Sequence, residues 1–221
     1  MKILFKKALE LIQMFKYKLS LDRKSQIIRF IKKSQPLSIL EIGVHKGEFA
    51  IRMLKAINAV NHKSLIYFGI DLFSEFHSEQ INKTEISLWP DSFDAVNKKM
   101  NLEFPTTKIF LMQGDSISQM QQLQGMKFDL IFIDGGHSYK TVKSDWLLSQ
   151  RLISDKGTIF FDDHCSEKNS RSMGFGIKKV IDEIERDNWS IKKLPINDYF
   201  LKDWGVLRIG LVKVSKILRD E

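Results

Sequence analysis

The sequence predicts an α/β protein whose central sheet is mostly parallel and covered by helices on both faces. Two observations carry this prediction: short apolar runs alternate with segments of helical periodicity, and several of the runs end abruptly in an acidic residue. Alternation of strand and helix implies right-handed crossovers and parallel neighbours. A third observation is that residues 195–205 join the last two apolar runs without a helical segment. Those two strands are therefore expected to pair as a C-terminal antiparallel hairpin.

Seven strands and five helices follow from the pattern after Pro36, which ends an N-terminal helical region. The strands are predicted at residues 37–42, 65–70, 108–113, 128–133, 157–162, 190–194 and 206–213. The helices are predicted at residues 47–58, 92–103, 116–123, 139–153 and 175–187. Residues 166–174 are interpreted as a polar loop, and residues 73–91 as a long excursion containing Phe73, Phe76, His77 and Trp89. Long excursions often act as lids or substrate walls.

The N-terminal region differs from the rest of the chain in charge. Residues 1–33 hold ten Lys and Arg residues against Glu10 and Asp22, which accounts for the whole net charge of +8. We therefore predict a basic helical appendage at residues 1–35 and a catalytic domain at residues 36–221. Because the catalytic domain is neutral overall, we expect no nucleic-acid channel through the core.

Apolar residues recur at helical spacing within this appendage and indicate two amphipathic helices. One interpretation is that the helices pack on the domain or on a second subunit of a homo-oligomer. The alternative is peripheral contact with an anionic membrane surface. A secretory signal is not expected, because Lys6, Lys7 and Glu10 interrupt the apolar stretch. The apolar positions are Leu4, Ala8, Leu11, Ile12, Phe15 and Leu19, followed by Ile27, Ile28, Phe30 and Ile31.

Composition limits the class of protein further. Hydrophobic residues make up 43% of the chain, which supports a substantial core. No apolar run approaches the roughly 18 residues that a membrane-spanning helix needs. The single cysteine, Cys165, cannot form an internal disulfide, so we expect a reducing, cytoplasmic compartment.

The segment at 127–145, KFDLIFIDGGHSYKTVKSD, contains the most informative strand end. Residues 128–133 are too apolar for a surface segment and too short for a buried helix, which indicates a central buried strand. Asp134 follows the strand, and His137 lies three residues later. In an open α/β sheet this edge binds ligands. The alternative role for Asp134 is to cap the next helix.

Polar residues and glycines also follow the first three strands. In EIGVHKG the first glycine allows a tight turn, but His45 replaces the second glycine of a dinucleotide fingerprint. An acid beneath this turn can accept a hydrogen bond from an ammonium group, the acid ending FGID suits a ribose diol, and QGDS offers an acceptor for an adenine amino group. Each acid alone is also a common cap or turn residue. The candidate cofactor-binding residues are Glu41, Gly43, Gly47, Asp71, Asp115, Ser116 and Asp134.

Two adjacent acids, Asp162 and Asp163, end the fifth predicted strand. Together with Asp134 they offer three carboxylates in one crevice, which is an oxygen-rich site suited to Mg²⁺ or another divalent cation. The structural alternative is helix capping plus a salt bridge to Lys168 or Arg171. A nitrogen-containing transition-metal site that uses His137 and His164 is a lesser option.

At these motifs the sequence resembles the class I methyltransferases that use S-adenosylmethionine, in the branch of the sugar and macrolide O-methyltransferases. EIGVHKGEFA is similar to the cofactor loop, FGIDLF to the ribose segment, QGDS to the adenine segment and IDGGHSYKTVKSD to the fourth-strand motif. The resemblance covers residues 36–187 and implies a Rossmann-like, seven-stranded sheet. Metal-dependent members of this family bind the ion through acids at the positions matching Asp134, Asp162 and Asp163.

These residues suggest one mechanism and three alternative classes of protein. The resemblance implies divalent-metal-assisted methylation of a small-molecule or sugar hydroxyl. The imidazole of His137 is a candidate base for the hydroxyl proton, and its alternative role is a hydrogen bond to Asp134 or Asp162. The excursion and residues 169–176 are the candidate substrate walls. The rival classes are an NAD-dependent oxidoreductase, a metal-dependent hydrolase or oxygenase that uses Asp134, His137 and Asp163, and a non-enzymatic scaffold.

Overall fold

The computed structural model describes residues 2–19, 21–59, 65–74 and 90–218. The strands are β1 (Ser38–Ile42), β2 (Ile66–Asp71), β3 (Lys108–Gln113), β4 (Phe128–Ile133), β5 (Ile153–His164), β6 (Trp189–Lys193), β7 (Asp198–Lys202) and β8 (Gly205–Lys216). The helices in the described residues are α1 (Lys2–Lys18), α2 (Ser25–Ser34), α3 (Glu48–Asn58), α4 (Phe93–Glu103), α5 (Ser116–Gln121), α6 (Tyr139–Leu152), α7 (Glu167–Met173) and α8 (Ile177–Asp182).

The strands form one sheet in the order β3-β2-β1-β4-β5-β8-β6. The first five strands of this order run parallel, whereas β8 is antiparallel to both β5 and β6. The predicted doubly wound α/β fold with a C-terminal antiparallel hairpin is therefore confirmed. The strand order reverses between β1 and β4, and the crevice at such a reversal is where this class of sheet binds its ligands.

Alternate residues along the central strands face two separate hydrophobic clusters. In β4, for example, Ile131 and Ile133 belong to one cluster, whereas Leu130 and Phe132 belong to the other. The first cluster includes residues of α6 and α8, and the second includes residues of α2, α3 and α4. Because side chains alternate between the faces of a strand, helices cover both faces of the sheet.

Two elements depart from the prediction. The stretch at 166–174 was predicted as a loop, but it contains α7, whose N-cap residue Ser166 accepts a hydrogen bond from the backbone N–H of Asn169 at 3.3 Å. The connector at 195–205 contains β7, which pairs with the first residues of β8 and adds an eighth strand beside the seven predicted. Most of the excursion, including Phe76, His77 and Trp89, lies outside the described residues.

The two N-terminal helices differ in how they meet the sheet. In α2, Ile27 and Ile31 have no exposed surface and belong to the core cluster beneath α3. In α1, Leu11 and Phe15 are more than half exposed, and Gln13 donates to the backbone oxygen of Tyr199 in β7 at 3.1 Å. We therefore propose that α2 is part of the catalytic domain and that only α1 is an appendage. No helix in the described residues is long and apolar enough to cross a membrane.

Candidate active site at the strand reversal

A cavity of about 550 Å³ opens at the C-terminal ends of the parallel strands. Most of the residues predicted to bind a cofactor or to act on a substrate line it together. Glu41, Gly47 and Asp162 lie outside this lining. The predicted residues that line the cavity are Gly43, Asp71, Asp115, Ser116, Asp134, His137 and Asp163.

The turn after β1 is packed tightly between the ends of its two neighbouring strands. The backbone N–H of Gly43 donates to the oxygen of Ile70 at 2.8 Å, and the N–H of Asp134 donates to the oxygen of Ile42 at the same distance. Gly43 has a φ of +93°, and a Cβ atom there would lie 2.2 Å from the backbone oxygen of Asp134. Only glycine fits this position, because any side chain would collide with main-chain atoms that cannot move independently.

The carboxylate of Asp71 organises the two loops that flank the cavity. One oxygen accepts from the backbone N–H of His45 and the other from that of Phe73, each at 2.7 Å. Both of these non-glycine residues have a positive φ, +54° for His45 and +53° for Phe73. His45 thus adopts the conformation that glycine favours at the second position of the fingerprint, which explains how the turn forms without that glycine.

Glu41 is buried beneath the turn and accepts a hydrogen bond from the hydroxyl of Tyr67. Burial raises the pKa of Glu41 to about 8, although Tyr67 and Lys24 oppose the shift. Glu41 lines a second cavity of about 300 Å³, which also includes Gly43. Gly47 precedes α3 with a φ of +71° and has a structural role at the start of that helix.

Asp115 and Ser116 reach the cavity from the start of α5. Asp115 caps this helix by accepting from the N–H of Ser118 at 2.9 Å, and the hydrogen bonds with Ser118 outweigh the effect of burial and lower its pKa. Ser116 donates its hydroxyl proton to Asp145 of α6 at 2.5 Å. Sequence reasoning did not assign a role to Asp145, which is fully buried and holds the α5 segment against α6.

Asp134, Asp162 and Asp163 converge as predicted. Each offers a carboxylate oxygen, and these three oxygens lie within 4.8 Å of one another. His137 lies beside them, with its Nε2 2.6 Å from Asp163 Oδ2 and its ring stacked on Phe175 at 4.6 Å between centroids. The imidazole was predicted to contact Asp134 or Asp162, but the hydrogen-bonding carboxylate that the structure shows is Asp163.

Two cations from the loop before α2 form ion pairs with the carboxylates. Arg23 approaches Asp162 through Nε at 2.7 Å and through an NH2 nitrogen at 2.9 Å, and the same nitrogen is 3.2 Å from Asp163. Lys24 forms an ion pair with Asp134 and lies 3.5 Å from Asp162. The sequence-based alternative named Lys168 and Arg171 as the partners.

In the described contacts, neither Lys168 nor Arg171 is a counter-ion of the three carboxylates. Arg171 pairs with Glu167 on the surface of α7. His164 is also absent from the cavity lining, and burial lowers its pKa to about 4. The nitrogen-containing metal site therefore has no support in this geometry.

The two cations separate the pKa values of the buried acids. Burial raises the pKa of Asp162, but attraction to Arg23 and Lys24 outweighs burial and holds that pKa well below its usual range. Burial dominates at Asp134 and raises its pKa to about 7, with Lys24 opposing the shift. Perturbed acids that lie together in a cleft are typical of active sites.

A divalent cation does not fit this cluster as the side chains stand. It would need the oxygens that Arg23 and Lys24 already contact, and two positive groups within hydrogen-bonding distance would repel it. The predicted convergence of the three acids is therefore present, but the charge that compensates them comes from the chain itself.

Comparison with known proteins gives the class of this chain. A family model described as Methyltransferase domain matches residues 40–164, which is more than half of the chain. The chain therefore belongs to this methyltransferase family. A shorter match, 29% identical over 68 residues, is to an uncharacterised protein of Acanthamoeba polyphaga mimivirus, and it spans 31% of the length of each protein.

Solved structures support the same fold. An O-methyltransferase from Bacillus cereus in complex with SAH has a TM-score of 0.64 at 14% identity, with 95% of this chain and 91% of that chain covered. The O-methyltransferase TomG from Streptomyces achromogenes, in complex with SAM, has a TM-score of 0.58 at 11% identity, with 94% and 89% covered. An SAH-bound methyltransferase from Podospora anserina has a TM-score of 0.60 at 15% identity, with 88% and 78% covered.

Proposed function

We propose that the protein is an S-adenosylmethionine-dependent methyltransferase that methylates a hydroxyl group of a small molecule or sugar. One observation carries the proposal: a single cavity at the strand reversal is lined both by Asp71, which suits a ribose diol, and by the His137–Asp163 pair, which suits proton removal. Solved structures of the same fold include O-methyltransferases bound to SAH or SAM, which agrees with this assignment.

The cavity suits the proposed cofactor in size and chemistry. Its volume of about 550 Å³ lies within the range of roughly 300–1,000 Å³ that is usual for small-molecule sites. A carboxylate has about four acceptor positions, so Asp71 can hold the two loop amides and still accept from ribose hydroxyls. Ser116 and Asp115 border the cavity where the adenine is expected. Glu41 lines the second cavity beneath the Gly43 turn, and a bound ammonium group would favour the charged form of this carboxyl.

The residues beside the three acids account for the proton that methylation of a hydroxyl releases. S-adenosylmethionine, when bound, supplies a methyl group from its sulfonium to the acceptor oxygen and leaves as the neutral thioether. His137 takes the hydroxyl proton at Nδ1 while its Nε2–H remains hydrogen-bonded to Asp163. Asp163 fixes the orientation of the ring and stabilises the imidazolium that forms. The proton then passes to solvent.

A divalent cation takes no step in this proposal. The ion was predicted to orient the acceptor hydroxyl and to lower its pKa. Arg23 and Lys24 also line the cavity. Their N–H groups can donate to the acceptor oxygen from the side on which the ion was predicted to bind. A cytoplasmic location, a small-molecule acceptor and the absence of nucleic acid from the core remain parts of the proposal.

Binding measurements on two aspartate variants test the cofactor assignment. We expect S-adenosylmethionine and its demethylated product to bind in isothermal titration calorimetry, whereas NAD does not. Asp71→Ala should weaken binding by about 1–3 kcal/mol, because ribose hydroxyls and loop amides lose their acceptor. Asp71→Asn is the matched control, since it keeps one acceptor oxygen and should lose less. Equal affinity of the Asp71→Ala variant and the wild type would remove Asp71 from the site.

A variant of the imidazole separates binding from transfer. His137→Ala should bind S-adenosylmethionine like the wild type but lose methyl transfer by about 10²–10⁴-fold. The measurement is formation of the demethylated product with pools of hydroxylated small molecules and sugars. Binding of NAD in preference to S-adenosylmethionine would contradict the proposed function as a whole.

A further inference from the structure

The carboxylate cluster is closed by the protein's own positive groups. Five of the six oxygens of Asp134, Asp162 and Asp163 accept from Arg23, Lys24 or His137. Asp162 has both of its oxygens on the Arg23 guanidinium, in the planar two-bond geometry that arginine forms with carboxylates. These contacts use most of the hydrogen-bonding capacity of the cluster, and the two cations offset two of its three negative charges.

The loop that contains Arg23 and Lys24 is held in place by contacts with α3 and with β7. Asp22, immediately before them, accepts two hydrogen bonds from Arg52 of α3 at 2.8 and 3.0 Å. Arg23 is also bound to Asp198, the first residue of β7, through its backbone N–H at 3.3 Å and through its NH1 at 3.0 Å. Asp198 is itself only 4% exposed. The extra strand β7 therefore places a fourth carboxylate that holds Arg23 in position.

Further contacts fix the start of α2 and the side chain of Lys24. The side-chain amide of Gln26 donates to the oxygen of Ile196 and accepts from the N–H of Ile196, both at 3.0 Å. The Lys24 Nζ lies over the rings of Phe49 and Phe132, 5.0 and 5.3 Å from their centroids. Aromatic faces attract a cation at this range. The position of Lys24 is thus set by packing as well as by charge.

A metal ion would have to replace this arrangement rather than add to it. Mg²⁺ takes oxygen ligands at about 2.0–2.1 Å, and Ca²⁺ at about 2.3–2.6 Å, so an ion bound to the Asp162 oxygens would lie close to the Arg23 guanidinium and would be repelled by its positive charge. Displacing Arg23 and Lys24 would leave two cations with their partners removed in a partly buried crevice, which is strongly unfavourable.

We propose that Arg23 and Lys24 replace the divalent cation at this site, so that the protein neither binds nor needs a metal ion there. Exclusion of a metal ion follows from the contacts alone, whereas metal-independent transfer rests on the proposed function. The two cations face the cavity, where they act as fixed donors toward the acceptor oxygen.

Metal titration of the wild type tests the proposal directly. We expect free Mn²⁺, followed by electron paramagnetic resonance, to remain unbound, and MgCl₂, CaCl₂ or EDTA to leave the thermal unfolding temperature unchanged. Stoichiometric Mn²⁺ binding that is lost in Asp163→Asn would overturn the proposal. This titration needs neither an acceptor nor S-adenosylmethionine, so its outcome is separate from that of the function itself.

Removing the positive charges of Arg23 and Lys24 should allow a divalent cation to bind to the three carboxylates. The variant with Arg23→Met and Lys24→Met keeps side chains of similar length without charge, and we expect it to bind Mn²⁺ and to be stabilised by Mg²⁺. Lys143→Met, which removes a surface pair with Glu183, is the matched control and should stay metal-independent. A folded double variant that binds no more Mn²⁺ than the wild type would contradict exclusion by these cations. If the double variant does not fold, the wild-type titration decides.

After exhaustive chelation of metal ions, we expect the protein to retain its full methyl-transfer activity. Loss of transfer on chelation, with recovery on adding Mg²⁺, would refute metal independence while leaving the methyltransferase function intact. Absence of S-adenosylmethionine binding in both conditions would count against the proposed function and not against the metal result.

Discussion

Single residues with unusual backbone conformations surround the cavity. His45, Phe73 and Asp163 all have positive φ values although none is glycine, and all three line the cavity. Such conformations cost about 1–3 kcal/mol each and persist where surrounding contacts impose them. Here the contacts are visible for two of the three, because Asp71 accepts from the backbone N–H of both His45 and Phe73.

Substitution of His45 tests whether its backbone conformation or its side chain matters. His45→Gly should keep the unfolding free energy within about 1 kcal/mol, because glycine reaches a positive φ without a steric cost. His45→Val should lose about 1–2 kcal/mol or more, because a β-branched residue is strained in that region. Urea denaturation measures both variants. Equal stability of the valine and glycine variants would show that the turn does not require the left-handed conformation.

The buried carboxyl of Glu41 makes the stability of the folded protein depend on pH. Its pKa rises from an ordinary value of 4.5 to about 8, first because it is buried and also because Asp134 and Asp71 repel its charged form, while Tyr67 and Lys24 oppose the rise. A group whose pKa is raised by folding gives its full stabilisation below the unfolded pKa. That stabilisation is lost as the pH rises through the folded value.

The folded protein without cofactor should therefore lose stability between about pH 4.5 and about pH 8. Glu41→Gln removes the ionisable group, so its melting temperature should fall less over this interval than that of the wild type. Glu48→Gln, at an exposed acid at the start of α3, is the control and should follow the wild type. Melting curves across the interval measure the difference. Parallel curves for wild type and Glu41→Gln would contradict the raised pKa of Glu41.

At the scale of elements, the sequence predicted the strands and helices whose formation depends on contacts between residues that are close in the chain. The apolar runs of β1 to β4 and the acids at or near their C-terminal ends could be located because strand period and burial act over a few neighbouring residues. The helix α7 was missed, although Ser166 and Gly174 bracket it as N-cap and C-terminal glycine. That signal was in the sequence, and the polar composition between the two residues obscured it.

The partners of the acids could not be predicted in the same way. Lys24 and Asp134 are separated by 110 residues, and Arg23 and Asp162 by 139. No periodicity or spacing connects such pairs, because only the packing of α2 beneath α3 brings the loop to the strand ends. The charge excess of the N-terminal region was recognised, but two of its cations are buried counter-ions rather than part of a solvated surface.

At the scale of the whole molecule, the N-terminal region divides into two parts with different roles. Lys16 of α1 donates to Asp198 at 3.2 Å, whereas the contact between Arg23 and Asp198 at 3.0 Å involves no residue of α1. The exposed apolar residues of α1, among them Leu11 and Phe15, leave homo-oligomer formation and contact with an anionic membrane as predictions for this helix alone.

Two truncations distinguish these parts. Deletion of residues 2–19 should retain cofactor binding, because no described residue of α1 lines the 550 Å³ cavity. It should cost far less stability than the longer deletion, because α1 leaves most of its described apolar side chains exposed. The same deletion should reduce oligomer size or binding to anionic liposomes if α1 has either proposed role. Size-exclusion chromatography and liposome sedimentation measure these properties.

Deletion of residues 2–34 should be far more damaging, contrary to a separable boundary near residue 35. It removes Ile27 and Ile31 from the core, worth about 1.5–3 kcal/mol each. It also leaves Asp162 without its guanidinium, and loss of a partner from a buried ion pair costs about 3–5 kcal/mol. The total is comparable with the whole stability of a typical domain, about 5–15 kcal/mol, so we expect this protein to unfold or aggregate. Thermal unfolding and S-adenosylmethionine calorimetry on both truncations provide the comparison. If the two truncated proteins melt at the same temperature and bind the cofactor equally, α2 and its two cations are not part of the catalytic domain.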